Sequence, residues 1–289
     1  MPVPVKALSW RQAAVLLVMA AALLVLAGIA ATGGLEPEPM ANRTAGPASH
    51  GSLALPTGHA AAVRGPDPVG ALFVLQHGHL GAHFCTASVV ASPAGNLLIT
   101  AAHCVTGVSL AAPGGLAFAP GYADGSYPHG LWQVTMTLVD RRWAAKQDPN
   151  NDVAFLVVKP LAGTHAPASS VQRAAGAERI RFDAPLPEPI RAIGYPDMSD
   201  APVGCSSQAV AFRPVSLDQV KFVCPGFTDG TSGGPMLTGF QAGTGAVIGV
   251  IGGYQQGGNT ASVSYSSAFS ASIRALYQQA VQAGQRQVR

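Results

Sequence analysis

Three short segments of this 289-residue chain carry the side chains needed for nucleophilic catalysis. His103 lies in Thr-Ala-Ala-His-Cys, Asp152 in Asn-Asp-Val-Ala-Phe-Leu, and Ser232 in Asp-Gly-Thr-Ser-Gly-Gly-Pro. A serine hydroxyl is a weak nucleophile, because it needs an imidazole to accept its proton and a carboxylate to orient that imidazole. The three residues therefore predict acyl-transfer chemistry, with a nucleophile, a base and an orienting group.

The sequence context favours each of these residues over a plainer alternative. Seven other histidines compete with His103, but only His103 lies in an Ala-Ala-His-Cys context. Asp152 precedes an apolar run that predicts a buried strand, whereas Asp148 lies in a polar turn. Glycines on both sides of Ser232, among them Gly230, would leave its hydroxyl exposed and the neighbouring amides free.

The order His, Asp, Ser differs from the order in α/β-hydrolases and in subtilisins. With its flanking motifs, the chain resembles the chymotrypsin/trypsin-like serine endopeptidases, and among them the secreted bacterial members. The resemblance extends from about Gly70 to the C-terminus, and it includes Phe84-Cys85, the Gly-x-Ser-Gly-Gly loop, the strand at 248–251 and a closing helix near 270–282.

The resemblance implies an all-β fold of two six-stranded antiparallel β-barrels with a C-terminal helix. His103 and Asp152 would belong to the first barrel and Ser232 to the second, with the active site in the cleft between them. The backbone N–H groups of Gly230 and Ser232 would form the oxyanion hole. The implied activity is hydrolysis of peptide bonds in protein or peptide substrates, through an acyl-enzyme and without a cofactor.

The residue before the nucleophile departs from the family pattern. In trypsin-like zymogens it is an aspartate, which pairs with an N-terminal ammonium after cleavage. Here it is Thr231, which cannot form that ion pair, and no Ile-Val-Gly-Gly start occurs near residues 65–72. We expect the oxyanion loop to be held without an N-terminal switch, partly by Cys224.

A second departure concerns the specificity pocket. By ungapped counting from Ser232, Gly252-Gly253-Tyr254 stands where the family has Ser-Trp-Gly. Without an acidic floor a preference for Arg or Lys is not predicted, and Ile251 is not the histidine of glutamate-specific relatives. We expect an uncharged side chain before the cleaved bond. The assigned pocket residues are Gly226 and Phe227 on the floor, Asp229 near the rim, and Gly252, Gly253 and Tyr254 beside it.

The four cysteines, which all follow the N-terminal apolar segment, allow three pairings on the sequence alone. The resemblance implies a disulfide between Cys85 and Cys104, which would clamp the loop that carries His103, and the remaining Cys205 and Cys224 then pair. A metal site built from four thiolates is the alternative, but it lacks close Cys-x-x-Cys pairs.

The composition agrees with an all-β domain. Only 11% of the residues are charged, and 34 glycines and 23 prolines suit short strands joined by tight turns. The net charge of +3 is too small to indicate a nucleic-acid partner. One terminal helix is predicted near residues 270–282. The predicted strands are 71–76, 86–91, 97–101, 132–139, 153–158, 190–194, 208–212, 221–223, 235–237 and 246–251.

The first 68 residues differ in character from the rest of the chain. Lys6 and Arg11 precede an apolar run at 13–31, which predicts a secretory signal peptide or an uncleaved signal anchor rather than a buried core helix. Residues 32–68 are rich in Ala, Gly and Pro and predict a flexible linker or propeptide. We therefore divide the chain into 1–31, 32–68 and a peptidase domain at 69–289, secreted or anchored to the outer face of the cytoplasmic membrane.

Three other interpretations remain open at this point. His77, His79 and His83 have spacing compatible with a metal site, but no carboxylate or cysteine completes the set, so we expect no metal. The chain is either an endopeptidase or, alternatively, a catalytically weak protease-like binding module or an esterase with the same triad. We expect a monomer, bound to the membrane only if the apolar segment is retained.

Overall fold

The computed structural model describes residues 58–65, 67–108 and 115–288. The predicted signal segment at 1–31 and most of the predicted linker lie outside the described residues. Within the described part of the chain, no helix combines the length and apolar character needed to cross a membrane.

Strands and short connections dominate the described residues, and the longest helix closes the chain. The strands are β1 (Ala61–Ala62), β2 (Val69–Gln76), β3 (His79–Val90), β4 (Leu97–Thr100), β5 (Leu116–Pro120), β6 (Trp132–Val139), β7 (Ala154–Pro160), β8 (Arg179–Ile180), β9 (Glu188–Gly194), β10 (Val203–Phe212), β11 (Gln219–Val223), β12 (Pro235–Gln241), β13 (Thr244–Val250) and β14 (Val263–Ser267). The α-helices are α1 (Arg141–Lys146), α2 (Val171–Ala175) and α3 (Ala271–Gln287), and 3-10 turns occupy Pro149–Asn151 and Tyr254–Gly257.

The first barrel is a closed antiparallel sheet with the strand order β2-β3-β4-β7-β6-β5. In β4 all four residues are buried, because both faces of this strand are covered. Because the sheet closes on itself, each strand of the barrel has a hydrogen-bonded neighbour on both sides. The predicted six-stranded barrel is confirmed.

The second sheet has eight strands, in the order β14-β11-β10-β9-β12-β13-β8, with β1 pairing onto β10. Six of them, β9 to β14, are the strands of the expected second unit, and the two-residue strands β1 and β8 are added to it. The predicted all-β fold is thus confirmed, but the second unit is an eight-stranded sheet where a six-stranded barrel was expected.

The helix α3 packs its buried stripe, which includes Ile273, Leu276 and Ala280, into a core cluster that also contains residues of both sheets. This spacing places the apolar side chains on one face of the helix. Two hydrogen bonds fix the helix to the first barrel: Asn96 Nδ2 donates to Gly284 O over 3.1 Å, and Tyr277 Oη donates to Ala91 O over 2.7 Å. The C-terminal helix therefore joins the two halves of the fold.

Residues 58–65 fall in the predicted linker, yet they belong to the second sheet. Ala60 N–H donates to Pro225 O over 2.7 Å, and Val63 N–H donates to Pro202 O over 3.0 Å. Between them β1 pairs with the start of β10. The folded unit thus begins before residue 69, because these small residues complete backbone hydrogen bonds that the second sheet offers.

Candidate active site

His103 lies directly after β4 in a turn that is fixed on both sides. Ala102 is fully buried, and its carbonyl accepts hydrogen bonds from the N–H of Thr106 and from the Thr106 hydroxyl, over 3.1 and 2.8 Å. On the other side, Cys104 forms a disulfide with Cys85 of β3. These contacts leave the imidazole 14% exposed, with only part of the ring open to solvent.

The carboxylate of Asp152 is the hydrogen-bond partner of His103. Asp152 ends the 3-10 turn Pro149–Asn151 and is fully buried. Its Oδ2 lies 2.8 Å from His103 Nδ1, and its Oδ1 accepts from the His103 backbone N–H over 2.9 Å. Because a carboxylate only accepts, Nδ1 of the neutral ring carries the hydrogen and Nε2 keeps its lone pair. The pair thus holds the imidazole in the tautomer of a general base.

The surroundings of Asp152 restrict its orientation further. Gly253 N–H donates to Oδ2 over 2.8 Å, so the buried carboxylate accepts three N–H groups in all. Its own N–H donates to Ser267 Oγ over 3.0 Å, and that hydroxyl donates to Pro149 O. A buried carboxylate is tolerated only when hydrogen bonds compensate it, and here they do.

Ser232 lies in a tight loop before β12, and two glycines in that loop are required by its geometry. Gly230 has φ of +86°, and a Cβ there would lie 2.3 Å from the backbone N of Asp197. Gly233 has φ of +80°, and a Cβ there would lie 2.1 Å from Thr100 Oγ1. The loop is therefore packed against both sheets too closely for any side chain at these positions.

The two predicted oxyanion donors are free within the described part of the chain, where the N–H groups of Gly230 and Ser232 donate to no other group. The orientation of one of them is fixed by its neighbour, because Asp197 N–H donates to Asp229 O over 2.9 Å. In a planar trans peptide the C=O and N–H point in opposite directions. The Gly230 N–H therefore points away from the segment that holds Asp229 O.

His103 and Ser232 line the same cavity, whose volume is about 900 Å³. Among residues 58–65, 67–108 and 115–288, no group makes a hydrogen bond to the Ser232 hydroxyl. The cavity runs along the Ser232 loop and reaches the second sheet at β14. Its wall also includes Phe227, Thr228, Asp229, Gly230, Ile251, Gln255, Gln256, Asn259, Thr260 and Ser264.

The predicted pocket residues divide into two groups. Phe227 and Asp229 line the cavity, whereas Gly226, Gly252, Gly253 and Tyr254 are not among its lining residues. A Cβ at Gly226 would lie 2.8 Å from Ala60 Cβ, and a Cβ at Gly252 would lie 3.0 Å from Asp152 Oδ2. Tyr254 instead packs edge-on against Tyr265, 5.2 Å between ring centroids.

Sequence reasoning missed the polar wall of the cavity. Gln255 and Gln256 have φ of +54° and +53°, which turns the chain sharply after Tyr254 and brings residues 255–260 to the cavity. The available signal was composition: Gln-Gln-Gly-Gly-Asn-Thr is an uncharged polar run between two apolar segments. Its side chains offer hydrogen-bond donors and acceptors without charge.

Both disulfides formed as expected, between Cys85 and Cys104 and between Cys205 and Cys224. The second joins β10 to the residue that follows β11, upstream of the Ser232 loop. Thr231 is buried, and its hydroxyl donates to Thr228 O over 2.6 Å. This hydrogen bond stabilises the turn within the Ser232 loop.

The three histidines considered for a metal do not come together. His77 and His79 are exposed at the β2–β3 turn, while His83 is buried with Nε2 3.9 Å from Asp200 Oδ1. Burial lowers the pKa of His83 below its usual value. One group of potential ligands is close in the described residues, namely Cys85, His103 and Cys104, but both sulfur atoms belong to a disulfide.

The folded domain is similar to solved bacterial protease structures. The protease Anisep from Arthrobacter nicotinovorans is 23% identical, with a TM-score of 0.62 over 76% of this chain and 98% of that one. The thermostable serine protease AL20 from an extremophilic microorganism is 25% identical, with a TM-score of 0.61 over 75% and 98%. A Glu endopeptidase structure is 18% identical, with a TM-score of 0.58 over 79% and 99%.

No protein-family model and no curated protein matches this sequence. These structural neighbours are proteases, AL20 among them a serine protease, and nearly the whole length of each one matches this chain. The two sheets, the C-terminal helix and these neighbours lead to one conclusion: this chain has the fold of the chymotrypsin/trypsin-like serine proteases.

Proposed function

We propose that this chain is an extracytoplasmic serine endopeptidase with His103, Asp152 and Ser232 as its catalytic triad. The observation that carries the proposal is the pairing of Asp152 Oδ2 with His103 Nδ1 at 2.8 Å, on the wall of a cavity that Ser232 also lines. That pairing leaves Nε2 available as a base for the serine that lines the same cavity, and a serine nucleophile requires such a base.

In the proposed mechanism Ser232 Oγ attacks the carbonyl carbon of the scissile peptide while His103 Nε2 takes its proton. The resulting imidazolium is stabilised by Asp152 and then protonates the leaving amine. The acyl-enzyme that remains on Ser232 is hydrolysed by a water molecule, from which His103 again removes a proton. Each step uses only these side chains and water.

The oxyanion of the tetrahedral intermediate would be bound by the N–H groups of Gly230 and Ser232. Both are without another acceptor in the described residues, and Asp197 holds the peptide before Gly230 in one orientation. Donors fixed in advance stabilise developing charge without reorganisation, and one such donor is worth on the order of 3 kcal/mol in the transition state.

The cavity supports a substrate with an uncharged side chain before the cleaved bond. Ile251, Gln256, Asn259 and Ser264 contribute apolar or neutral polar groups to its wall. Among the described lining residues only Asp229 is acidic. No Lys or Arg is among the described residues that line the cavity, so an acidic substrate side chain would find no cationic partner of that kind there. A peptide-library cleavage profile tests this preference directly.

Two features support a location outside the cytoplasm for the peptidase domain at 69–289. Disulfides such as Cys85–Cys104 and Cys205–Cys224 persist in oxidising compartments, and both are formed. The apolar run at 13–31 would direct export as a signal peptide or anchor. We propose protein or peptide substrates and a monomeric enzyme, with the membrane as a partner only through that run.

Covalent labelling tests the proposal. A fluorophosphonate should label the purified wild-type protein and leave Ser232→Ala unlabelled, and casein should be cleaved by the wild type alone. A wild-type protein that stays unlabelled would make the chain a binding module on a protease-like scaffold. Labelling with hydrolysis of simple esters but not of casein would make it an esterase.

A further inference from the structure

Thr86 of β3 is the residue through which the first barrel holds the oxyanion loop, residues 228–232. It is fully buried. Its hydroxyl donates to Gly230 O over 3.0 Å and accepts from Tyr195 N–H over 2.8 Å. Its backbone N–H donates to Ser232 O over 2.7 Å, and its carbonyl accepts from Thr100 Oγ1 over 2.7 Å. Every polar group of Thr86 is thus used.

These contacts fix the peptide that carries one of the oxyanion donors. The carbonyls of Gly230 and Ser232 lie on either side of the peptide between Thr231 and Ser232, and Thr86 binds both of them. Because peptide units are planar and trans, fixing the two flanking carbonyls restricts the rotation of the unit between them. The Ser232 N–H, which belongs to that unit, is restricted with it.

Thr86 affects the second donor, the Gly230 N–H, through a hydrogen bond to Tyr195. The Thr86 hydroxyl holds Tyr195 N–H, and two residues later Asp197 N–H holds Asp229 O. That last bond determines the direction of the Gly230 N–H, as described for the site. A single buried hydroxyl therefore contributes to the orientation of both donors, one directly and one through the segment 195–197.

We propose that Thr86 is a positioning residue whose hydroxyl keeps the oxyanion loop in its productive conformation, in place of an ion pair from a newly formed N-terminus. This inference rests on the proposed function, since it assigns the Gly230 and Ser232 amides to oxyanion binding. Thr231 stands at the position that forms this ion pair in the family pattern, but a threonine cannot form it. Its hydroxyl instead donates to Thr228 O within the same loop. The restraint thus comes from β3 and is present without cleavage.

The first test compares kinetics of three variants on an ester or peptide substrate. Thr86→Val keeps the branched shape and removes the hydroxyl, and we expect kcat to fall about 10- to 100-fold while KM changes less than about threefold. Thr86→Ser keeps the hydroxyl and should stay within about threefold of wild type. Ser88→Ala is the matched control, because the Ser88 hydroxyl on the same strand is buried and has no hydrogen-bond partner in the described residues.

A folded Thr86→Val enzyme with wild-type kcat would overturn the proposal. Equal losses in Thr86→Val and Thr86→Ser would do so as well, since they would assign the effect to packing. If Thr86→Val fails to fold, Thr86→Ala and Thr86→Ser replace it, because these two differ only in the hydroxyl. In that pair a reduced kcat of the alanine variant alone supports the proposal.

A second measurement does not depend on activity. Crystal structures of wild type and Thr86→Val should differ in the peptide between Asp229 and Gly230, with Asp229 O released from Asp197 N–H in the variant. An unchanged peptide would contradict the role of Thr86 even in an active enzyme. If a fluorophosphonate fails to label the wild-type protein, the proposed function is contradicted instead. The orientation of the peptide between Asp229 and Gly230 would still show whether Thr86 holds the loop.

Discussion

Gly253 donates its backbone N–H to Oδ2 of Asp152 over 2.8 Å, the same oxygen that bonds to the His103 ring. The carboxylate belongs to the first barrel, whereas Gly253 follows β13 of the second sheet. The two donors reach one oxygen from different parts of the fold, so the position of the carboxylate depends on both. Because the described residues form one compact unit, this contact is an internal property of the domain.

Replacing Asp152 by asparagine is expected to lower kcat by about 10³- to 10⁴-fold, as the corresponding change does in serine proteases. Asparagine keeps the volume but has a single oxygen. Its amide group would donate to His103 Nδ1 and place the ring hydrogen on Nε2, where no lone pair is then left to accept the Ser232 proton. Steady-state kinetics on an ester substrate measures the loss.

The matched control is Asp148→Asn, in the polar turn that precedes Asp152. Asp148 Oδ1 accepts from Asn150 N–H over 3.1 Å, and asparagine can accept in the same way. This variant should keep wild-type kcat. Comparable losses in both variants would contradict the assignment of Asp152 as the orienting carboxylate.

The buried carboxyl group of Glu178 should make the stability of the fold depend on pH. It is fully buried, its Oε2 accepts from Gly245 N–H, and its Oε1 has no partner within the described residues. Burial raises the pKa of this carboxyl from 4.5 to about 7. The folded state therefore holds a proton that the unfolded state releases above pH 4.5, and stability falls as the pH rises from about 4.5 to about 7.

Denaturant unfolding of wild type and Glu178→Gln across pH 4 to 8 tests this linkage. Glutamine cannot ionise, so the free energy of unfolding of the wild type should fall relative to the variant by up to about 3 kcal/mol over that range. The two should be most alike near pH 4. Parallel pH profiles would show that Glu178 titrates normally in the folded state.

The contacts of residues 58–65 predict how shortening the chain at its N-terminus affects stability and substrate binding. A chain that begins at Gly58 keeps β1 and the bonds of Ala60 and Val63, whereas a chain that begins at Val69 loses them, at a cost on the order of 2 kcal/mol. The shorter chain should also show a higher KM. The reason is that Ala60 contacts Gly226, whose neighbour Phe227 lines the cavity.

Thermal unfolding and steady-state kinetics of chains beginning at residues 32, 58 and 69 provide the measurement. The first two should have equal kcat, since the oxyanion loop has its restraints without a new N-terminus. Activity that appears only after trimming near Arg64 would refute a loop held without an N-terminal switch.

The two disulfides close loops of equal length, so the effects of removing each one can be compared directly. Each joins cysteines 19 residues apart, so removing either is expected to reduce the free energy of unfolding by about 3 kcal/mol in the chain-entropy model. Their kinetic effects should differ. Cys85→Ala with Cys104→Ala frees the turn of His103 and should lower kcat, whereas Cys205→Ala with Cys224→Ala should act mainly on KM.

Urea unfolding at neutral pH and kinetics well below the melting temperature separate the two effects. Equal kcat in both double variants would show that the Cys85–Cys104 bond does not position His103. A much smaller stability loss in one of them would indicate that its unfolded state stays compact when the bond is absent.

The family resemblance, which rests on motifs visible in the sequence, implied the all-β fold and the Cys85–Cys104 disulfide, and the Cys205–Cys224 pairing followed from it. Four strands were not predicted: the two-residue strands β1 and β8, and the longer strands β5 and β14. The strand at Leu116–Pro120 lies in a stretch rich in Ala, Gly and Pro, and it forms because β2 and β6 offer backbone partners on both sides. The strand β14 has buried serines, and Ser266 Oγ is satisfied by Val250 N–H, which composition cannot show.

The site was predictable in its residue types and only partly in its surroundings. The context of His103 and Asp152 is local, so the sequence displays it. The polar wall at 255–260 depends on two consecutive residues with positive φ, and the position of residues 58–65 depends on backbone bonds to β10. Both are decided by tertiary contacts rather than by local propensity.

The bonds from Thr86 to the Ser232 loop and from Gly253 to Asp152 cross between the first barrel and the second sheet. A chain in which only the first barrel has folded would hold His103 and Asp152 but would lack Ser232 and the Gly230 amide, which belong to the other side of these bonds. If the proposed function holds, activity would arise only once the first barrel and the second sheet have come together.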